Sequence, residues 1–216
     1  MSDQPATNPC APPSDLNSNS PVAARQWNSM QVAVIVGVCC VAVALRLVDS
    51  PLSNFSAMAA LALFSGAVIR HPAAVLLPLA MRAITDVLIH IQTGYGFFFS
   101  WPFDYFAYLL IALFAVYCVR PNRYLAVAGG SIVAVATYFV LSNFGVWAMS
   151  GMYPRTTAGL IDCFIMAIPF AKGTVLGNLI AVPVFFSAWN MLAAPSETDA
   201  ATTGVRSELA AANRDT

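Results

Sequence analysis

Charge is what this chain has least of. Of 216 residues only 9% are Asp, Glu, Lys or Arg, and only two are His. A soluble domain carries about a quarter charged residues, so an ordinary water-soluble globule is excluded. The formal net charge is zero and no basic run occurs, which removes the electrostatic footprint of a nucleic-acid binder. The five cysteines include no Cys-x-x-Cys and no Cys/His ligand spacing, so neither zinc nor a redox pair is expected. Gly-x-x-x-x-Gly-Lys-Ser/Thr, Gly-x-Ser-x-Gly and His-Glu-x-x-His are also missing. The chain therefore has no motif for hydrolysing ATP by itself, and no enzyme, metal or cofactor is expected.

What is present is apolar surface: 59% hydrophobic residues and a mean hydropathy of +0.71. The remaining charge is unevenly placed. Between Met30 and Leu192 stand Arg46, Arg70, Arg82, Arg120, Arg123, Arg155 and Lys172 against Asp49, Asp86, Asp104 and Asp162; the other charges lie in two tails. Met1–Ala24 is rich in Pro, Ser and Asn and lacks a basic segment before an apolar stretch, so it is not read as a signal peptide. It and Pro195–Thr216 read as mobile tails. The expected division is a tail over 1–28, a transmembrane domain over 29–193 and a second tail over 194–216.

Crossing a bilayer takes about 20 apolar residues. That length predicts an all-α membrane protein, a bundle of six transmembrane helices: Met30–Val48, Phe55–Ile69, Ala73–Ile91, Phe103–Val119, Tyr124–Ser142 and Thr174–Leu192. The second is short and begins near Leu52, and the third bends near Pro78. Ala158–Phe170 is apolar but too short to span, and is expected as an extra short outer helix, re-entrant or interfacial; one tilted helix over 159–192 is the alternative. Loop charge sets direction. With the N terminus inside, the cytoplasmic face receives Arg25, Arg70, His71, Arg120 and Arg123, leaving both termini cytoplasmic and the protein multi-pass in the membrane. Phe97, Phe98, Phe99, Trp101, Phe103 and Tyr105 then form an interfacial belt at an outer turn, and Tyr108 either joins it or lines a pocket.

Mapped onto these spans, the polar residues gather in the outer half. Polar groups at membrane depth are costly, so several at one depth should pair, face water or hold a ligand. Asn54, Asp86, His90, Asn143, Trp147, Tyr153, Asp162, Lys172 and Asn178 are the candidate ligand-binding residues of an outward-facing chamber. Arg82 and Asp86, four apart on one helix, are placed to form an ion pair. Small residues recur at four-residue spacing as Met58/Ala62/Gly66, Ala126/Gly130/Ala134 and Gly173/Gly177/Ala181, and as Ala33/Gly37 with Cys40/Ala44; such stripes let helix backbones approach closely.

The run Asn54–Ala67, Pro78-Leu79 with Asp86, Asn143-Phe144-Gly145-Val146-Trp147, Tyr153-Pro154 with Gly159-Leu160, and Ile168-Pro169-Phe170 with Thr174-x-x-Gly177 resembles the signatures of an uncharacterised family of bacterial membrane proteins regarded as transport proteins. That family is similar in fold to the substrate-binding S components of energy-coupling factor transporters. The resemblance implies an S-component-like bundle in the bacterial inner membrane, holding a vitamin-like or other micronutrient ligand near its outer face. It implies as partners a transmembrane coupling protein and its ATPases, docking on the Ala33, Gly37, Cys40 and Ala44 face. It also implies an acidic residue where this chain has Asn178. The expected function is a small-molecule binding subunit of an uptake system; the alternative is a ligand-free membrane scaffold or assembly subunit.

Overall fold

The computed structural model describes residues 27–47, 55–94, 97 and 100–193. Among them the chain is all-helical, with no strand: α1 (Ser29–Leu47), α2 (Met58–Ile69), a 3-10 turn (Pro72–Val75), α3 (Leu76–Thr93), α4 (Trp101–Cys118), α5 (Tyr124–Met149) and α6 (Thr157–Leu192). Local chemistry sets several ends. Asn28 and Gln31 cap α1 reciprocally: Gln31 N donates to Asn28 Oδ1 at 2.7 Å and Asn28 N to Gln31 Oε1 at 3.2 Å. Thr156 Oγ1 accepts from Gly159 N at 3.2 Å to start α6. Gly94, at φ 79°, takes the left-handed conformation that closes α3. The two tails expected outside the helices, and Asn54, Phe98 and Phe99, lie outside the described residues.

Five of the helices, with the 3-10 turn counted into α3, are long and apolar enough to cross a membrane. The sixth is not, which corrects the expectation of six full spans. α2 has 12 helical residues, about 18 Å of rise, against a hydrocarbon core of about 30 Å. It tolerates that length because it meets protein rather than lipid: every residue from Ala57 to Val68 is buried, and each of the other five helices packs on it. Small residues permit the approach. A Cβ on Gly66 would strike the Ala112 carbonyl of α4, one on Gly177 would lie 2.6 Å from Ser56 O, and one on Gly130 would lie 3.1 Å from Leu63. Phe64 anchors the other end, edge-on to Phe185, Phe186 and Trp189 at 6.1, 5.6 and 6.1 Å.

Three further boundaries differ from the sequence reading. Ala158–Phe170 is not a separate outer helix: α6 runs unbroken for 36 residues through Pro169 and Pro183, as the alternative reading had it. Proline is tolerated inside a membrane helix where neighbours and local adjustment satisfy the freed carbonyl. α5 continues past Ser142 through Asn143 and Trp147 to Met149. Pro78 lies in the first turn of α3, just after the 3-10 turn Pro72–Val75. Of the small-residue stripes, those of α2 and α6 are buried and α5 buries Gly130 and Ala134, whereas Ala33, Gly37, Cys40 and Ala44 of α1 are all exposed.

α2 touches α5 and α6 at glycines. Its N-terminal approach, Ser56, meets α6 at Gly177, and its middle meets α5 at Gly130. Gly66→Ala is expected to lower the unfolding temperature in detergent, at a cost of about 1–3 kcal/mol for overpacking. Gly37→Ala, where a Cβ meets nothing within 4 Å, should leave that temperature unchanged or raise it. Equal losses from both would contradict the packing described.

Candidate functional site

Four charged side chains from three helices meet at the Asp104 end of the bundle. Arg46, in the last turn of α1, donates from Nη2 to Asp86 Oδ1 at 2.6 Å and from Nε to Thr85 Oγ1 at 2.9 Å. Arg82 of α3 donates from Nε to Asp86 Oδ2 at 2.8 Å, from Nη2 to Asp104 Oδ2 at 3.2 Å and from Nη1 to the Tyr108 hydroxyl at 3.3 Å. The Tyr105 hydroxyl donates to Asp86 Oδ2 at 3.1 Å, and Ser100 Oγ to Asp104 Oδ2 at 3.4 Å. The Arg82 guanidinium also lies 5.9 and 5.7 Å from the ring centres of Tyr105 and Tyr108. Asp86 is fully buried, Arg82 4% exposed and Asp104 3%. Two cations and two anions cancel, so the network holds α1, α3 and α4 together without net charge.

A cavity of about 720 Å³ adjoins it, within the range of small-molecule sites. Arg46, Arg82, Ser100 and Asp104 line one side. α5 contributes Ser131, Val135, Tyr138, Phe139, Ser142 and Asn143, and α6 contributes Ala167, Ala171, Thr174 and Val175 among others. Most of the wall is apolar. Asp104 Oδ1 is buried, and the carboxyl is engaged by Ser142 of α5 as well as by Arg82 and Ser100.

The sequence candidates fall into three groups. Asn143 lines the cavity, its Nδ2 donating to Phe139 O at 2.7 Å. Asp86 and Asn178 are buried beside it but not on its wall: Asp86 is held behind the two arginines, and Asn178 Nδ2 donates to Thr174 O at 2.8 Å while its Oδ1 has no partner. His90, Trp147, Tyr153, Asp162 and Lys172 are not brought to the cavity. His90 is exposed, 6.2 Å from the Phe97 ring; Trp147 Nε1 donates to Pro154 O at 3.1 Å across the α5–α6 turn; Tyr153 is half-buried in that turn; and Asp162 and Lys172 are exposed on α6. Asn54 lies outside the described residues. Tyr108 is buried against Arg82 and stacked on Tyr138 at 5.2 Å. The expected Arg82–Asp86 pair forms. Sequence reasoning missed Ser100, Ser131, Tyr138 and Ser142 as wall residues. The 131, 135, 138, 142 spacing on α5 marks one helical face and was a usable signal.

Long apolar helices, charges cancelled inside the bundle and a buried half-length helix together define a multi-pass membrane protein. More particularly, the chain belongs to a family of unknown function, DUF6580, whose model matches residues 26–201. No curated protein matches the chain, and no solved structure does.

Asp86→Ala leaves Arg46 and Arg82 without their shared anion, and is expected to cost about 3–5 kcal/mol of stability or prevent folding. His90→Ala, at an exposed position, should stay within about 0.5 kcal/mol of the parent protein. Thermal unfolding in detergent compares the two; an Asp86→Ala protein as stable as the parent would contradict the network.

Proposed function

We propose that the protein is the small-molecule binding subunit of an uptake system in the bacterial inner membrane, similar to the S components of energy-coupling factor transporters. In this reading both termini are cytoplasmic and the cavity lies in the outer half of the bundle. The ligand is vitamin-like or another micronutrient. Release takes place on a partner, a transmembrane coupling protein with its ATPases. The exposed face of α1 carrying Ala33, Gly37, Cys40 and Ala44 is offered as the docking surface, beside a groove of about 370 Å³ that α1 forms with α6 through Ala33, Gly37, Val184 and Ala188.

The observation that carries this reading is the 720 Å³ cavity ending on a self-neutralised ion network. A ligand held there meets the hydroxyl-bearing residues Ser131, Tyr138 and Ser142 without having to break an ion pair. The second reading, a ligand-free scaffold, draws on the same network, because Asp86 is satisfied by the protein alone. The two differ in what they predict for the cavity. Val135→Trp places an indole in the space while leaving the network untouched. Under the binding reading, small molecules that copurify in mild detergent, found by mass spectrometry, raise the unfolding temperature of the parent protein and not of Val135→Trp. Under the scaffold reading nothing copurifies, and Val135→Trp behaves like the parent; that result would overturn the proposal.

A further inference from the structure

We propose that the turn between α4 and α5 binds the phosphate of an anionic phospholipid, held by Arg120 and Arg123. The site is separate from the cavity and holds whichever way the bundle faces the membrane. Charge is sorted between the two ends of the bundle. Asp86 and Asp104 belong to the ion network, and Asp162 lies in the first turns of α6, where Cys163 Sγ donates to Asn143 O at 3.4 Å. These are all the acidic residues among the described ones. The opposite end carries Arg70, His71, Arg120 and Arg123, with no carboxylate among the described residues. Packing brings these four to one end: Gly66, one turn before Arg70, lies against Ala112 and Ala115 in the second half of α4, and Arg120 follows directly after that helix. Arg46 and Arg82 are offset by carboxylates, whereas Arg120 and Arg123, both exposed, form no salt bridge among the described residues.

The turn stands at headgroup depth. α4 has 18 residues, about 27 Å of rise, against a hydrocarbon core of about 30 Å, and Arg120 lies just past its end. Tyr117 and Tyr124, on either side of the turn, are 63% and 75% exposed, the placement of aromatic side chains at a membrane–water boundary. The turn is also fixed in shape. Arg123 N donates to Arg120 O at 3.1 Å, and Asn190 Nδ2 at the end of α6 donates to Pro121 O at 3.0 Å. Two arginines held three residues apart offer forked N–H donors that match phosphate oxygens. A zwitterionic lipid presents the same phosphate but brings its own cation. An anionic lipid leaves the arginines as its nearest compensation, so it is the one this end selects.

The probes are phosphatidylglycerol and phosphatidylcholine with the same acyl chains, titrated into the full-length protein in mild detergent, with retained lipid counted by native mass spectrometry. The parent protein should retain phosphatidylglycerol in preference to phosphatidylcholine. Arg120→Gln/Arg123→Gln should weaken phosphatidylglycerol retention about 25-fold, about fivefold for each arginine, and leave phosphatidylcholine retention unchanged. Arg123→Gln alone, with an expected loss of about fivefold, carries the test if the double variant does not fold. Arg120→Lys/Arg123→Lys keeps the charge and should keep most of the preference. Arg155→Gln, at an exposed arginine of the other end, should change neither lipid. Equal retention of the two lipids by the parent, or a loss from Arg155→Gln as large as that from the double variant, overturns the inference. Displacement of phosphatidylglycerol by excess soluble glycerol phosphate also overturns it, because the site then takes a free phosphate ester rather than a lipid.

Discussion

Arg82 is the charge on which the bundle turns, because it is both the deepest commitment and the most connected one. Placing an arginine at the centre of a membrane helix costs about 2.5–3.5 kcal/mol on the insertion scale. The structure offsets that cost with two carboxylates, a phenol and two aromatic faces contributed by α3 and α4. Arg46 then shares Asp86 with it and draws in α1. The polar groups therefore bind helices in a solvent where lipid tails provide no hydrophobic force between them. The same arrangement makes one end of the bundle polar without making it charged.

α2 supplies the complementary constraint. It is the only helix among the described elements with almost no exposed surface, and it lies against α4 through alanine and glycine rather than bulky side chains. The cavity is lined instead by the five longer helices around it, and no α2 side chain is on its wall. The smallness of Gly66 and Gly177 lets α4 and α6 close on α2.

Much of this was legible in the sequence, and the failures share a cause. α1 and α4 follow from apolar length, which burial in lipid demands wherever a helix lies in the bundle. The Arg82–Asp86 pair follows from their four-residue spacing. Rotation was not legible. His90, Asp162 and Lys172 sit close in sequence to residues of the site but are exposed, and for Asp162 and Lys172 the near-uniformly apolar α6 gives little sign of which way it faces. Arg46–Asp86 and Arg82–Asp104 join separate helices and so depend on packing. α6 was divided because Ala158–Phe170 alone is too short to span and ends beside a proline. In a soluble helix that proline would mark a boundary, whereas here the helix passes through it. The hydroxyl-bearing face of α5 at Ser131, Tyr138 and Ser142 was present in the sequence but looked minor beside the charges.

The enclosure of α2 bears on how the chain is made. A nascent segment leaving the translocon is stable in lipid only if it is long enough to cross, and twelve helical residues are not. Most of the partners that shelter it arrive later: α3, α4 and α5, with α6 last of all. The N-terminal portion therefore waits beside the ribosome's exit with its most tightly packed element unaccommodated, and the native centre closes only when the final helix is delivered. A chain cut short before α6 presents quality-control proteases with a hydrophobic segment that has neither lipid length nor protein cover.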